Sequence, residues 1–151
     1  MAELDRAAVE AMVRQVLLEK LGAGEASRPA HGVKKVPVPQ VQVEDRDKLD
    51  TGRSGDRVWT RDLFALEESP RLGCGLMVME ETTFPWKLDY DEMDYVIEGR
   101  LDILIGGDRI SAGPGEVVYI PRGSSIQFSV EGKARFLYFV YPADWQKQGE
   151  K

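Results

Sequence analysis

The sequence predicts an all-β domain, a barrel or a sandwich, preceded by one amphipathic helix. After Trp59 the chain falls into short apolar or alternating runs bounded by Gly, Pro, Asp or Ser. Their spacing of roughly eight to twelve residues is typical of sandwiches and barrels. Before that point, only residues 5–21 combine good helix formers with apolar residues at helical spacing.

Composition and charge narrow the function classes. With 151 residues, of which 42% are hydrophobic, the chain suits one compact domain with a modest extension. A net charge of -6 argues against a nucleic-acid partner. Cys74 is the only cysteine, and neither a signal sequence nor a membrane-spanning run is present, so we expect a cytoplasmic protein without a membrane partner.

Residues 5–21 form the predicted helix. Its apolar positions recur at the spacing that lines one helical face, and they are Val9, Met12, Val13, Val16 and Leu17. Gly22 and Gly24 are expected to end it. A helix of this length is marginal alone in water, so we expect it to dock on the barrel, a second subunit or another protein.

The next segment, residues 22–55, is rich in Gly, Pro and charge and predicts a flexible linker. Within it, residues 36–43 alternate apolar and polar side chains. Because Pro37 and Pro39 cannot donate ladder hydrogen bonds, this stretch favours an edge strand or an extended arm. We therefore expect the barrel over residues 56–147 and a short tail over 148–151.

Two strand motifs resemble those of the cupin superfamily. The run EMDYVIEG (Glu92 to Gly99) has a Glu and a Gly separated by six residues, and GEVVYIPRGSS (115–125) has the G-x5-P-x-G pattern. The resemblance implies a cupin-type double-stranded β-helix, or jelly-roll, barrel.

The histidines of metal-binding cupins are absent from these motifs. Their places fall on Pro85 and Lys87, or on Lys87 and Asp89, and on Ile126. The single histidine, His31, lies in the linker. One remaining carboxylate does not make a transition-metal site, so a histidine-ligated oxygenase or isomerase is nearly excluded.

Three longer segments resemble the ethanolamine-utilisation protein Q (EutQ) family, a cupin branch without the histidines. They are FPWKLDYDEMDYVIEGRL, AGPGEVVYIPRGSSIQF and RFLYFVYPADWQ. The resemblance implies an acetate kinase that exchanges a phosphoryl group between ATP and acetate with a divalent metal. No P-loop signature for a nucleotide is readable in the chain itself.

The helix before a Gly/Pro linker resembles the encapsulation peptides of bacterial microcompartments. That likeness implies binding to shell or cargo proteins through residues 5–21 and a place in the microcompartment lumen or on its surface. The alternative is a helix that covers an open face of the barrel.

A carboxylate cluster surrounds the first motif, and two interpretations of it stay open. In one, Asp89, Glu92 and Asp94 hold a hard divalent ion such as Mg or Mn, for which oxygen ligands suffice. In the other, the cluster sits at the barrel mouth or pairs with Lys87, Arg100 or Arg122, which leaves only solvated salt bridges.

The catalytic hypothesis assigns roles by position. Glu92 and Asp94 act with Lys87, which offsets phosphate charge, and Arg122 binds a carboxylate or phosphate. Trp86 and Tyr119 are candidate walls of a substrate pocket.

The competing hypothesis is a noncatalytic cupin that binds shell or cargo proteins. In either case the family implies a homodimer through the outer sheet. The face with Met93, Tyr95 and Ile97, together with Leu137 or Tyr138, is the expected interface.

Overall fold

The computed structural model describes residues 6–20 and 31–148, which contain two α-helices and seven strands. In chain order these are α1 (Arg6–Lys20), β1 (Val58–Asp62), β2 (Gly73–Lys87), β3 (Asp91–Glu98), β4 (Leu101–Ile105), β5 (Asp108–Ala112), β6 (Val117–Ile120), β7 (Ser125–Tyr141) and α2 (Trp145–Gln148). The predicted helix stop at Gly22 and Gly24 and residues 149–151 of the predicted tail lie outside the described residues.

The strands are all antiparallel to their neighbours. The sheet order is β1-β2-β7-β3-β6, and β4 pairs with both β5 and β7. The two long strands, β2 and β7, connect the parts of the sheet. The first half of β7 pairs with β4, and its second half pairs with β3. On its other edge β7 pairs with β2 along nearly its whole length, with a bulge in β2 between Glu80 and Thr82.

The alternation along each strand decides which side chains face the interior. On β3, Glu92, Asp94 and Val96 are buried, whereas Met93 and Tyr95 are exposed. The core is apolar and aromatic, and Phe84, Phe128 and Phe136 are its largest fully buried side chains. The face of β3 that contains Glu92, Asp94 and Val96 therefore points inward.

The expected edge strand near residues 36–43 is wrong. Val38–Gln40 form a single 3₁₀ turn, in which Gln40 N donates to Pro37 O (2.9 Å) and Val41 N to Val38 O (3.0 Å). Prolines cannot donate ladder hydrogen bonds. The Arg135 side chain from β7 instead donates to Val38 O (2.7 Å) and Val41 O (2.9 Å).

The prediction of a flexible linker up to residue 55 also needs correction. Leu49 N donates to Val58 O (2.9 Å), Lys48 forms a β-bridge with Trp59, and the Leu49 side chain packs against the core. The compact unit that contains the barrel accordingly begins at Val36. The sequence predicted a linker here because charged residues surround the few apolar ones, such as Leu49.

Helix α1 belongs to a separate compact unit, Met1–Lys35. Its side chains Val9, Met12, Val13 and Val16 are all exposed. Neither helix within residues 6–20 and 31–148 has the length and apolar character needed to cross a membrane.

Candidate functional site

A cavity of about 290 Å³ opens into the barrel and has aromatic walls. Its aromatic lining consists of Phe64, Phe84, Trp86, Tyr90, Phe128, Tyr138 and Trp145. A volume near 300 Å³ is at the lower end for small-molecule pockets, so the cavity suits a small ligand.

Strand alternation and a short loop place two of these rings together. Trp86 shares the inward face of β2 with Phe84, and Tyr90 immediately precedes β3. Trp86 Nε1 donates a hydrogen bond to the Tyr90 hydroxyl (2.8 Å). Trp145 of α2 stacks near both, with ring centroids 4.7 Å from Tyr90 and 6.0 Å from Trp86. These contacts fix one wall of the cavity.

Tyr138 also lines the cavity, and a glycine makes room for it. The Tyr138 hydroxyl donates to Asp62 Oδ1 (2.8 Å). Its β2 partner is Gly75, where an added Cβ would lie 2.0 Å from the phenol. Sequence reasoning missed Gly75, although Gly73 and Gly75 at a two-residue spacing on one strand face were a signal of a close approach.

The charged groups of the cavity are all acidic among the described residues. Asp62 and Asp144 line it, and no Lys or Arg does so. Two further carboxylates, those of Glu92 and Asp94, are buried on β3 beside lining residues of β7. In the sheet register Glu92 is opposite Val140 and Asp94 is opposite Tyr138, and both partners on β7 line the cavity.

Glu92 and Asp94 are buried without adequate partners. They are 3% and 0% exposed, the Tyr90 hydroxyl bonds to Glu92, and within the described part of the chain Glu92 Oε1 and both Asp94 Oδ atoms have no partner other than each other, through a shared proton. Burial raises the pKa of Glu92. Burial raises the pKa of Asp94 well above 3.8, and the neighbouring charge of Glu92 adds to the rise.

Nearby carboxylates raise the pKa values of the two cavity tyrosines, Tyr90 and Tyr138. Burial and then the charge of Glu92 raise the pKa of Tyr90 above its usual value of 10.0. Burial and then the charge of Asp62 raise the pKa of Tyr138, and Glu92 contributes to the same shift. Both phenols therefore stay protonated at neutral pH and can donate hydrogen bonds.

The predicted metal set of Asp89, Glu92 and Asp94 is not assembled. Asp89 is exposed in the β2–β3 loop, whereas Glu92 and Asp94 are buried on the inner face of β3. No three His, Cys, Asp or Glu residues in the described ranges converge as a metal site would require. The donor set thus does not fit a divalent ion held by the protein, because adjacent loop and strand positions point in different directions.

The alternative of salt bridges at the mouth does not describe this pair either. In the described ranges Arg100 pairs with Asp102 (2.9 Å), and neither Glu92 nor Asp94 forms a salt bridge. Asp102 also accepts from Arg109 (2.7 Å), so these two arginines belong to the β4–β5 hairpin.

The remaining predicted site residues lie outside the cavity. Lys87 is exposed next to the inward-facing Trp86. Tyr119 is 57% exposed and donates to Asp91 Oδ1 (3.3 Å), and the Arg122 backbone N–H donates to the same oxygen (2.9 Å). Of the predicted binding residues, the structure brings only Trp86 to the cavity, and Glu92 and Asp94 are buried on β3 beside lining residues of β7.

Comparison with known proteins adds a family to this geometry. A family profile described as "Ethanolamine utilisation protein EutQ" matches residues 4–147. The protein named "Acetate kinase EutQ" from Clostridioides difficile is 50% identical over 153 residues, which cover 97% of this chain and 98% of that protein.

Solved structures support the same relationship and the fold. The structure of the Clostridium difficile EutQ protein is 56% identical, with a TM-score of 0.77 over 81% of this chain and 89% of that chain. The Schizosaccharomyces pombe Cnp3 cupin domain is 14% identical, with a TM-score of 0.55 over 76% of this chain and 73% of that chain. The predicted all-β cupin fold is therefore confirmed.

Proposed function

The chain belongs to the ethanolamine utilisation protein EutQ family, and from this we propose that it is an acetate kinase that transfers a phosphoryl group between ATP and acetate. The observation that carries the proposal is the 50% identity, over nearly the whole of both chains, to the protein named "Acetate kinase EutQ". The likeness includes the cupin barrel and the segments before it.

The transfer needs charge neutralisation more than covalent help from the protein. An acetate oxygen attacks the γ-phosphorus as the bond to the ADP oxygen breaks, and positive groups offset the charge on the phosphoryl oxygens. The acidic cavity is unsuited to this, so we assign the phosphates to the exterior cations Lys87 and Arg122. A divalent cation enters with the nucleotide as part of the substrate.

These two cations lie on neighbouring segments. Leu88 N donates to Ser124 O (3.0 Å), and Gly123 N donates to Leu88 O (2.7 Å), so the loop after β2 runs beside the turn before β7. Asp91 holds the Arg122 backbone through its N–H (2.9 Å). This proximity of the two segments supports the proposal that one phosphate chain contacts both Lys87 and Arg122.

The test measures formation of ADP from MgATP and acetate by purified full-length protein. We expect Lys87→Ala and Arg122→Ala each to lower kcat/KM by about tenfold, because each removes a charged hydrogen bond to phosphate. Lys133→Ala is the matched control, since its surface ion pair with Glu80 (3.7 Å) lies elsewhere on β7. Full activity in both variants would remove these residues from the site, and acetate-independent turnover would contradict the function.

We also propose that helix α1 binds shell or cargo proteins of a bacterial microcompartment. What supports this is the exposure of four apolar side chains among those described in the helix, which is 41% for Val9, 68% for Met12, 51% for Val13 and 48% for Val16. An exposed apolar stripe on a helix is the usual form of a helix-in-groove ligand.

A further inference from the structure

The central cavity has the electrostatic character of a cation site. Its charged lining residues among those described are Asp62 and Asp144, and Glu92 and Asp94 are the β3 partners of the lining residues Val140 and Tyr138. An anion entering this space would lose hydration and meet acidic groups, so its transfer would be unfavourable. A cation would gain from the same groups.

The walls favour an organic cation over a metal ion. Trp86 and Trp145 meet edge to face at an interplanar angle of 75°, and Tyr90 lies 4.7 Å from Trp145. Aromatic faces attract ammonium groups through their quadrupoles, whereas metal ions need several oxygen, nitrogen or sulfur ligands. The described residues do not offer a set of such ligands.

The buried carboxylates provide an independent indication. In the described part of the chain, both Asp94 Oδ atoms and Glu92 Oε1 are buried with no donor other than a proton shared between the two carboxyl groups. Buried polar atoms are nearly always partnered, and one shared proton leaves several lone pairs of the two carboxyl groups unused, so the pair can accept a further donor from a ligand. A primary ammonium group brings three donors and a positive charge.

We propose that the central cavity binds a small primary ammonium compound, with Trp86, Tyr90 and Trp145 around its charged end and with Asp62, Glu92 and Asp94 supplying the compensating charge. The phenolic oxygen of Tyr90 accepts from Trp86 (2.8 Å) and retains a second lone pair for the ligand. This site is separate from the phosphoryl-transfer site, whose reactants are anions.

The experiment compares three probes of the same size, one cationic, one neutral and one anionic. Propylammonium, 1-propanol and propionate are titrated into full-length protein without nucleotide, and binding is followed by calorimetry and by tryptophan fluorescence. We expect propylammonium to bind at least about tenfold more tightly than the other two, because cation–π contacts and charged hydrogen bonds favour it. Equal or tighter binding of propionate, or no binding of any probe, would overturn the inference.

Variants then locate the site. Asp62→Asn and Glu92→Gln should each weaken propylammonium binding by about tenfold, since each removes a compensating charge. Asp89→Asn makes the same charge change at an exposed loop position and should leave the affinity unchanged. Should Glu92→Gln fail to fold, the affinity of Asp62→Asn still tests the proposal, because Asp62 is exposed and its change should leave the core intact. Equal weakening by Asp89→Asn would mean that general surface charge, and not this cavity, attracts the probe.

The two proposals fail separately. The probe titration contains no nucleotide or acetate, so propylammonium binding in a protein without kinase activity would contradict only the proposed function. Kinase activity without propylammonium binding would contradict only the ammonium site.

Discussion

Gly75 and Tyr138 occupy paired positions on β2 and β7, and the absence of a side chain at one permits the ring of the other. A Cβ at Gly75 would lie 2.0 Å from Tyr138 Cζ and Oη, far inside van der Waals contact. The phenol is also held by its hydrogen bond to Asp62 (2.8 Å). This single contact therefore sets one wall of the cavity.

Gly75→Ala should destabilise the protein by about 1–3 kcal/mol, because the added methyl group displaces the Tyr138 ring and breaks its bond to Asp62. Urea unfolding measures the change. Gly55→Ala is the control, since no atom lies within 4 Å of a Cβ there. Similar stability of both variants would show that the strand pair accommodates the methyl group without cost.

Glu92 and Asp94 make stability depend on pH in a direction opposite to that of salt-bridged carboxylates. Their pKa values are raised in the folded state from 4.5 and 3.8 by burial, so the folded protein binds more protons than the unfolded chain above that range. Stability should therefore be full near pH 4 and fall as the pH rises through the folded pKa values, by up to about 1.4 kcal/mol per pH unit for each proton.

Asp94→Asn should reduce this slope and stabilise the protein at pH 8, since the amide cannot ionise. Urea unfolding between pH 5 and 9 provides the measurement. Asp91→Asn serves as the control, because it makes the same chemical change three residues earlier on β3, at a partly buried position. The account of the pair would be contradicted by an Asp94→Asn protein that is less stable at every pH or keeps the wild-type slope.

At the scale of elements, periodicity and turn residues were sufficient to predict the strand region and the long helix. Alternation also separated the two faces of β3, but the structure was needed to show that the Glu92 face is the buried one. The arm from Val36 to Leu49 could not be predicted, because its contacts come from distant residues, notably the Arg135 guanidinium on β7. The composition of a segment does not indicate which distant side chain will bind to it.

Only part of the site was predicted, because several of its residues come from elements that are distant in sequence. Sequence reasoning selected Trp86, Glu92 and Asp94, which the barrel does bring to one region. It grouped Asp89 with them because the residues are close in sequence, although a loop residue and an inward strand residue face different surroundings. It missed Tyr90, Tyr138 and Asp62, which come from separate elements and meet only through the β1-β2-β7-β3 order.

Helix α1 offers an element-scale test of targeting. Val13→Glu places a charge in the exposed apolar stripe and should lower co-sedimentation with microcompartment shells by about tenfold, because a buried valine contact is lost. Arg14→Glu is the control, because it introduces the same glutamate at another exposed position of the helix. Unchanged co-sedimentation of Val13→Glu, or of a protein lacking residues 1–21, would contradict a targeting role.

At the scale of the whole molecule, an apolar patch on the outer face is available for a second copy. Met93 pairs with Tyr119 and Tyr95 with Val117 across β3 and β6, and these side chains are 39–59% exposed. Leu137 lies beside Tyr95 on the same face, whereas Tyr138 points into the cavity, so the alternative that placed Tyr138 in an interface is wrong. Contiguous exposed apolar patches of this kind mark interaction surfaces.

We expect a homodimer through this patch, and Tyr95→Lys should convert it to a monomer by placing a charge at the centre of the contact. Light scattering after size-exclusion chromatography gives the mass directly. Ile110→Lys, at a 44% exposed apolar position on β5, is the matched control. A monomeric wild-type protein at micromolar concentration would contradict the expectation.

Phosphoryl transfer to acetate is the central claim about the molecule, and phosphorus NMR tests it most directly. Purified full-length protein is incubated with MgATP and acetate, and the phosphorus signals are followed with time. The account predicts that acetyl phosphate and ADP appear in equal amounts and only when acetate is present. An unchanged ATP spectrum, or ATP consumed to inorganic phosphate without acetyl phosphate, would contradict it.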